Sequence, residues 1–287
     1  MIGKHKKRKK PSHSRAGDFL SVLILLSMGA FMALPLVLAI SNSLKPLEEL
    51  FVFPPKFFVS NPTLDNFRDV FVLMSQSWVP FSRYIFNTVF ITLVGTIGHL
   101  IIASMCAYAL AKHKFPGQNI IFWLIVTALM FSTQVTAIPN YLIMSKIGWL
   151  DSYLALIIPA IAKPLGLFLM KQFMEQIPNS LLEAAKIDGA SEWENFWTIA
   201  MPQVKPAWLT LIIFCFQDLW NLQGSTYIYS EQLKTLPYAL SQISAAGISR
   251  AGATAAVSVI MMIVPITIFV ISQSNIIETM ASSGIKE

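Results

Sequence analysis

The feature of this sequence that most restricts its fold is a series of long stretches without a charged side chain. Residues 19–40, 84–111, 115–145 and 251–277 contain no Lys, Arg, Asp or Glu. A helix needs about 20 apolar residues to cross a bilayer, and a backbone in hydrocarbon must satisfy its own hydrogen bonds. Charged residues make up only 13% of the chain, about half of the ~25% typical of soluble domains. The sequence therefore predicts an all-α integral membrane protein.

Two further apolar stretches are each interrupted by one charge. Lys163 lies within the first, between residues 151 and 171, and Asp218 lies within the second, which begins at Pro206. Because either stretch would be a long apolar surface if left in water, both are counted, and six transmembrane helices are expected. Pro159 and Pro164 flank Lys163 and predict a kink that frees backbone carbonyls for its ammonium group.

The distribution of basic residues predicts the orientation of the chain. With the N-terminus in the cytoplasm, the cytoplasmic segments hold 13 of the 21 Lys and Arg residues, and the longer outside loops hold seven. We therefore expect both termini inside, with a basic tail at 1–17, a transmembrane domain at 18–278 and a C-terminal tail at 279–287. A basic tail beside a membrane helix fits anionic lipid headgroups, so nucleic-acid binding is not expected.

The predicted cytoplasmic loop 176–205, between the fourth and fifth helices, contains two capping signals. Ser180 is followed after three residues by Glu183, and Ser191 by Glu194. This spacing is that of a capping box, in which the serine and glutamate side chains bond each other's backbone N–H groups. The loop is therefore predicted to hold two short helices.

The ends of these two helices are predicted from glycine and proline. Gly189 suits the left-handed position that ends the first helix, and Pro202 is expected to end the second. A helix of about eight residues is marginal alone. Its apolar face is therefore expected to dock on another surface.

The same loop resembles the EAA signature of permeases from binding-protein-dependent ABC importers. That signature reads EAA, three residues, G, nine residues, then I-x-L-P, and Met201 stands here where Leu is usual. Flanking segments at 61–67, 187–191 and 235–240 are similar to the smaller permease of maltose-type carbohydrate systems. The residues that this resemblance assigns to coupling are Glu183, Ala184, Ala185, Asp188, Gly189, Ile199 and Pro202.

The resemblance implies the type I ABC importer permease fold and a set of partners. The loop would dock on a cytoplasmic ATPase dimer, which binds ATP and Mg and drives alternating access. A second, longer permease subunit, an extracytoplasmic solute-binding protein, membrane lipids and a carbohydrate substrate are also implied, in the plasma membrane of a bacterium or archaeon. The chain has no G-x-x-x-x-G-K-[ST] motif of its own, so no cofactor and no enzymatic activity are expected in it.

Glu183 is open to two interpretations. As the last residue of the capping box it would stabilise the start of the first helix, with the cap worth about 0.5–2 kcal/mol. The resemblance instead implies docking at the ATPase. The interpretation favoured from the sequence is helix-end stabilisation, with a secondary share in docking.

The polar residues predicted at membrane depth are candidates for the substrate path. Amides and carboxylates suit sugar hydroxyls, and an aromatic ring suits the C–H face of a sugar. Lys163 and Asp218 could instead pair with each other, and His99 is expected to be structural. The candidates are Lys163, Gln217, Asp218, Trp220 and Asn221.

Other functional classes explain less of the sequence. An ABC permease for polyamines, phosphate or amino acids would share the EAA signature. A gradient-driven secondary transporter could use Lys163 and Asp218 as ion carriers, but it leaves the signature unexplained. An intramembrane aspartyl protease would need two membrane aspartates, and only Asp218 qualifies.

Overall fold

The computed structural model describes residues 15–75, 78–224, 226–245 and 247–283. The described residues form helices and loops with no β-strand, which confirms the all-α prediction. Lys4 to Lys10 of the predicted basic tail lie outside them. The α-helices are α1 (Arg15–Leu44), α2 (Leu47–Leu50), α3 (Asp65–Ser75), α4 (Phe81–Lys112), α5 (Gln118–Ala128), α6 (Thr133–Ile147), α7 (Leu154–Ile161), α8 (Pro164–Glu175), α9 (Asn179–Ile187), α10 (Glu192–Glu194), α11 (Met201–Gln203), α12 (Lys205–Trp220), α13 (Leu236–Ala245) and α14 (Ala251–Ser283).

Four segments of the described chain are long and apolar enough to cross a membrane as they stand. Two pairs of helices pass the same test only when each pair is taken as one bent span, with bends of 110° and 81°. The structure therefore supports four to six spans. The four are Gly17–Leu44, Phe81–Lys112, Leu154–Glu175 and Ala251–Ile271, and the bent pairs are Gln118–Ala128 with Thr133–Ile147 and Glu192–Gln203 with Lys205–Trp220.

The third predicted span differs from a straight helix. The charge-free run 115–145 bends by 110° between α5 and α6. The backbone of Ser132, which precedes α6, is extended with ψ 153°, so the α5 helix cannot continue through it. An apolar run without charges predicts membrane depth, but it does not predict where the backbone breaks.

The long helix α4 is the centre of the bundle. Its 32 residues correspond to a length of about 48 Å, and it packs against α7, α8 and α12. At one end Lys112 Nζ donates to the carbonyl of Ile177 at 2.6 Å, at the start of loop 176–205. At the opposite end Asn87 Nδ2 donates to the carbonyls of Gln232 and Lys234 at 2.9 and 2.8 Å. α4 therefore connects the loop to the opposite end of the bundle.

The fourth span is broken at Lys163, as predicted from the flanking prolines. α7 ends at Ile161, and α8 begins at Pro164 with Lys163 as its extended N-cap residue. Proline has no backbone N–H to continue the ladder of α7. At the C-terminus of the chain, α14 reaches Ser283, so residues 279–283 of the predicted tail are helical and residues 284–287 lie outside the described part.

Candidate functional site

The first helix of loop 176–205 begins two residues earlier than the predicted Ser180 cap requires. α9 starts at Asn179, and its N-cap residue, Pro178, makes no side-chain capping bond. Ser180 is thus the second helical residue and cannot act as the cap, so the predicted Ser180–Glu183 capping box is wrong. Glu183 is exposed, and no hydrogen bond or ion pair joins it to another described residue. Its carboxylate is therefore free for a docking partner.

The end of α9 has the geometry predicted for Gly189. This glycine lies in the left-handed region with φ +90°. Its N–H bonds to the carbonyl of Lys186 at 3.1 Å, and the N–H of Ala190 bonds to the carbonyl of Ala185 at 2.9 Å. These two bonds form a Schellman motif, which requires a residue that tolerates positive φ. The prediction of a helix end at Gly189 is confirmed.

The second helix begins with the predicted Ser191–Glu194 capping box. The N–H of Glu194 donates to Ser191 Oγ at 3.2 Å, and Glu194 Oε2 accepts from the backbone N–H of Ser191 at 2.7 Å. The second of these bonds is the main cause of a lowered pKa of Glu194. Pro202 does not end this helix. A π-helical turn at Asn195–Ala200 leads directly into α11, so Pro202 lies inside the helical run, which ends one residue later at Gln203.

A buried apolar cluster fixes the underside of the loop to the bundle. Leu182, Phe196 and Met201 of the loop are 6%, 3% and 8% exposed. They pack with Tyr108 of α4 and Met170 of α8 in one hydrophobic cluster. Because the loop shares its core with two membrane helices, a displacement of the loop is expected to displace α4 and α8.

The outer surface of the loop carries large apolar side chains that stay exposed, although Trp193 and Trp197 contact each other edge to face. Glu183, Ala184 and Asp188 of the same loop are also exposed, and the side chain of Ile199 is half-buried. We call this surface the loop patch. Its large apolar members are Leu181 (42% exposed), Ile187 (86%), Trp193 (57%) and Trp197 (38%). Exposed apolar patches of this kind mark protein interaction sites.

Asn195 is a polar residue buried in the otherwise apolar core of the loop. Its side chain is fully buried, and neither Nδ2 nor Oδ1 has a hydrogen-bond partner among the described residues. An unpaired buried polar group costs about 1–3 kcal/mol. We predict that Asn195→Leu, which keeps the branched shape and replaces the amide by two methyl groups, raises the free energy of unfolding by about 1 kcal/mol, measured by thermal unfolding in detergent. Phe196→Ala is the control that should destabilise, and a lower unfolding midpoint for Asn195→Leu would contradict the prediction.

Lys163 and Asp218 lie in contact at membrane depth. Lys163 Nζ donates to Asp218 Oδ2 at 2.7 Å, and the two side chains are 39% and 62% exposed. The predicted ion pair therefore forms. A lysine or aspartate at the centre of a bilayer costs about 2.5–3.5 kcal/mol on insertion scales, so a surface that exposes both is unsuited to lipid. Beside Lys163, a cavity of about 360 Å³ is lined mainly by apolar side chains of α4, α5 and α8.

Trp220 is placed differently from the prediction. Its side chain is 6% exposed, its Nε1–H donates to the carbonyl of Met261 at 3.1 Å, and its ring stacks on Phe216. Trp220 thus joins α12 to α14 instead of offering a ring to a substrate. Asn221 is exposed, with Nδ2 bonded to the carbonyl of Gln217 at 2.8 Å.

The aromatic ring that shares the exposed face of Asp218 is Phe214, which the sequence prediction missed. It is 49% exposed and lies four residues before Asp218, a spacing that places both side chains on one helix face. Helical spacing counted from Asp218 could have identified it.

His99 has the structural role predicted for it. It is 2% exposed, and its Nδ1 lies 2.9 Å from the carbonyl oxygen of Ile161. That carbonyl is at the end of α7, where the break at Lys163 leaves it without a helical partner. His99 therefore satisfies the backbone of the broken span.

Asp151 binds a second loop segment at the end of the bundle opposite loop 176–205. It has a positive φ of 57°, and its carboxylate accepts from the N–H groups of Tyr229 and Ser230 at 3.0 and 2.8 Å and from the hydroxyl of Ser230. The hydroxyl of Ser230 is the largest cause of a lowered pKa of Asp151. A carboxyl whose pKa is lowered by folding stabilises the protein above its unfolded pKa of about 3.9 and loses that contribution as the pH falls further.

We predict a small, pH-dependent effect for Asp151→Asn. Asparagine also tolerates the left-handed backbone, so the change isolates the charge. The variant should be less stable at pH 7 by no more than about 1 kcal/mol, because the hydrogen bonds are exposed to solvent, and the difference should shrink as the pH falls below the unfolded pKa of about 3.9. Thermal unfolding across this pH range is the measurement. A difference that persists at low pH would contradict it.

No metal centre is found in the part of the chain that the structure describes: no three His, Cys, Asp or Glu side chains lie close enough there to hold an ion. Cys106 and Cys215 are free thiols.

Comparison with known proteins gives consistent matches. Residues 99–281 match the family described as binding-protein-dependent transport system inner membrane component. Protein LplC of Bacillus subtilis (strain 168) is 37% identical over 212 residues, which cover 72% of this chain and 68% of LplC. The arabinooligosaccharides transport system permease protein AraQ of Halalkalibacterium halodurans is 32% identical over 276 residues, which cover 91% of this chain and 96% of AraQ.

The fold is also found in a solved structure. A chain in the crystal structure of a bacterial ABC transporter involved in the import of the acidic polysaccharide alginate superposes with a TM-score of 0.77. The two chains are 22% identical, and the match covers 92% of this chain and 99% of that one. At this identity the likeness concerns the arrangement of helices.

Proposed function

Because the chain belongs to the family of inner membrane components of binding-protein-dependent transport systems, we propose that it moves a sugar or oligosaccharide into the cell. It is a multi-pass protein of the plasma membrane. In this proposal it works by alternating access, driven by ATP hydrolysis in a separate subunit. The sugar assignment is supported by the named substrates of relatives such as AraQ.

The observation that carries the proposal is the construction of loop 176–205. Two short helices are held at a fixed angle by the Schellman motif at Gly189 and the capping box at Ser191. One side of the loop shares a core with α4 and α8, and the other side is the loop patch. A loop built this way can move with a docked protein and displace the membrane helices on which it packs.

The partner that docks on the loop patch is proposed to be the ATPase dimer, which holds ATP and Mg. Glu183, Ala184, Ala185 and Asp188 would contact it, with Gly189 setting the angle of the helix pair. The capping box that would have occupied Glu183 does not form, so docking becomes its main role in this proposal. Ile199 and Pro202 would act indirectly, through the second helix.

The remaining assembly follows from the single copy of the loop. A second, longer permease subunit would supply the other half of the pathway, and an extracytoplasmic solute-binding protein would deliver the sugar. Both termini and the loop would then face the cytoplasm, and Asp151 and the segment it binds would face outward.

Cysteine cross-linking tests the docking of the loop. Ile187→Cys, at an 86% exposed position, is expected to cross-link to the ATPase subunit, with a yield that changes between ATP-bound and nucleotide-free states. Phe53→Cys is the matched control, because it is 93% exposed but lies in the α2–α3 connection, on the proposed outer side. Equal cross-linking of both variants would argue against the assignment.

Uptake into proteoliposomes tests the energy source. The assembled transporter, with its binding protein, should import a labelled oligosaccharide only when ATP is supplied on the ATPase side. A protonophore that collapses ion gradients should leave the rate unchanged. Uptake that needs a gradient but no ATP would favour a secondary transporter instead.

A further inference from the structure

One face of α12 carries polar and aromatic side chains that the packing of the bundle leaves uncovered. Phe214 is 49% exposed, the Asp218 side chain 62%, and Asn221 is also exposed, with Gln217 half-buried. At 100° per residue these four lie within an arc of about 100°. The residues between them on the helix are buried, namely Cys215, Phe216, Leu219 and Trp220. We call the uncovered arc the α12 face.

The charged side chains on the α12 face indicate whether it contacts lipid, water or protein. Asp218 is paired with Lys163 from the break in span four, yet both side chains keep substantial exposure. Charged groups at membrane depth border water-filled paths or protein and avoid lipid. Phe214 lies one helical turn from Asp218, so its exposed ring borders the same space.

The ion pair retains unused hydrogen-bonding capacity. Lys163 has three N–H groups, and one of them is directed at Asp218 Oδ2. The other two N–H groups of Lys163 and the Oδ1 atom of Asp218 have no hydrogen-bond partner among the described residues. A sugar presents vicinal hydroxyls that both donate and accept, so the ammonium can donate to one hydroxyl oxygen while the carboxylate accepts from the next.

We infer that Lys163, Asp218 and Phe214 form a saccharide-binding subsite on this chain, specific for a neutral sugar unit with vicinal hydroxyls. The ion pair binds the hydroxyls, and the ring of Phe214 lies against the C–H face. Because the two charges cancel at contact distance, the subsite has no net charge with which to select a carboxylate. This inference rests on the proposed sugar transport and places part of the substrate path on this subunit.

The test separates a binding role of the ion pair from a structural one. Lys163→Met with Asp218→Leu removes both charges together and leaves neither unpaired, so this double variant should preserve the assembled transporter. We expect this double variant to reduce saturation-transfer NMR signals from arabinotriose and maltotriose at least fivefold, with the complete transporter in nanodiscs. Phe214→Leu should reduce them similarly. Phe269→Leu, matched at 47% exposure on α14, should not.

Each other outcome overturns the inference. Unchanged signals in the double variant would make the pair structural, and loss of co-purification with the second permease would make the α12 face a subunit interface. A signal from trigalacturonate alone would show selection of a carboxylate, and no signal from either neutral trisaccharide would exclude the subsite. The proposed function fails separately, if the wild-type transporter binds these sugars but shows no ATP-dependent uptake.

Discussion

Gly189→Ala is expected to lower uptake at least tenfold per ATP hydrolysed while leaving the protein inserted and assembled. A Cβ at this position would meet no atom within 4 Å, so the substitution causes no clash. Its effect comes from φ +90°, which costs an L-residue about 1–2 kcal/mol. The chain can relieve that strain by rotating α9 against the second helix, and this rotation would move the loop patch out of register with the ATPase.

Two variants control for this interpretation of Gly189→Ala. Gly148→Ala introduces the same backbone strain at φ +76°, also in open space. Gly148 lies directly after α6, at the end of the bundle opposite loop 176–205, so this variant should leave coupling intact. Gly189→Asn should retain most of the coupling, because asparagine tolerates the left-handed region. The measurement is the ratio of uptake to ATP hydrolysis in proteoliposomes. A normal ratio for Gly189→Ala would remove the assigned role of this glycine.

The features that could be predicted from the sequence are those set by local chemistry. Charge-free runs gave the membrane helices, because burying a charge in lipid is costly wherever the helix packs. Gly189 and the Ser191–Glu194 box were predictable, because their hydrogen bonds join residues close together in the sequence. The break at Lys163 followed from Pro164, which removes a backbone donor.

The features that could not be predicted depend on the exact start of a helix or on packing between helices. Ser180 has the spacing of a cap, but α9 begins at Asn179, directly after Pro178, whose ring fixes its φ at −61°. Trp220 and Phe214 are both aromatic residues on α12, and only the contact of α12 with α14 decides that Trp220 is buried and Phe214 exposed. A single sequence does not specify which face of a helix meets which neighbour.

Gly166→Ala is expected to destabilise the protein by about 3 kcal/mol, the upper part of the range for overpacked cores. A Cβ at Gly166 would lie 2.1 Å from His99 Nε2 and 2.8 Å from Leu211 Cδ1. His99 cannot move away cheaply, because it is buried and its Nδ1 bonds the carbonyl of Ile161 at the break in span four. The substitution therefore forces either that bond to break or α8 to separate from α4.

The double variant His99→Ala with Gly166→Ala tests whether this clash is the cause. Removing the ring opens space for the new methyl group, so the double variant should be more stable than the sum of the two single effects predicts, by at least about 1 kcal/mol. Gly98→Ala is the matched control, since its Cβ would meet only the side-chain end of Ile161, at 2.7 Å, which can rotate. Strict additivity in thermal unfolding of the purified protein would show that the methyl group at 166 acts through some contact other than His99.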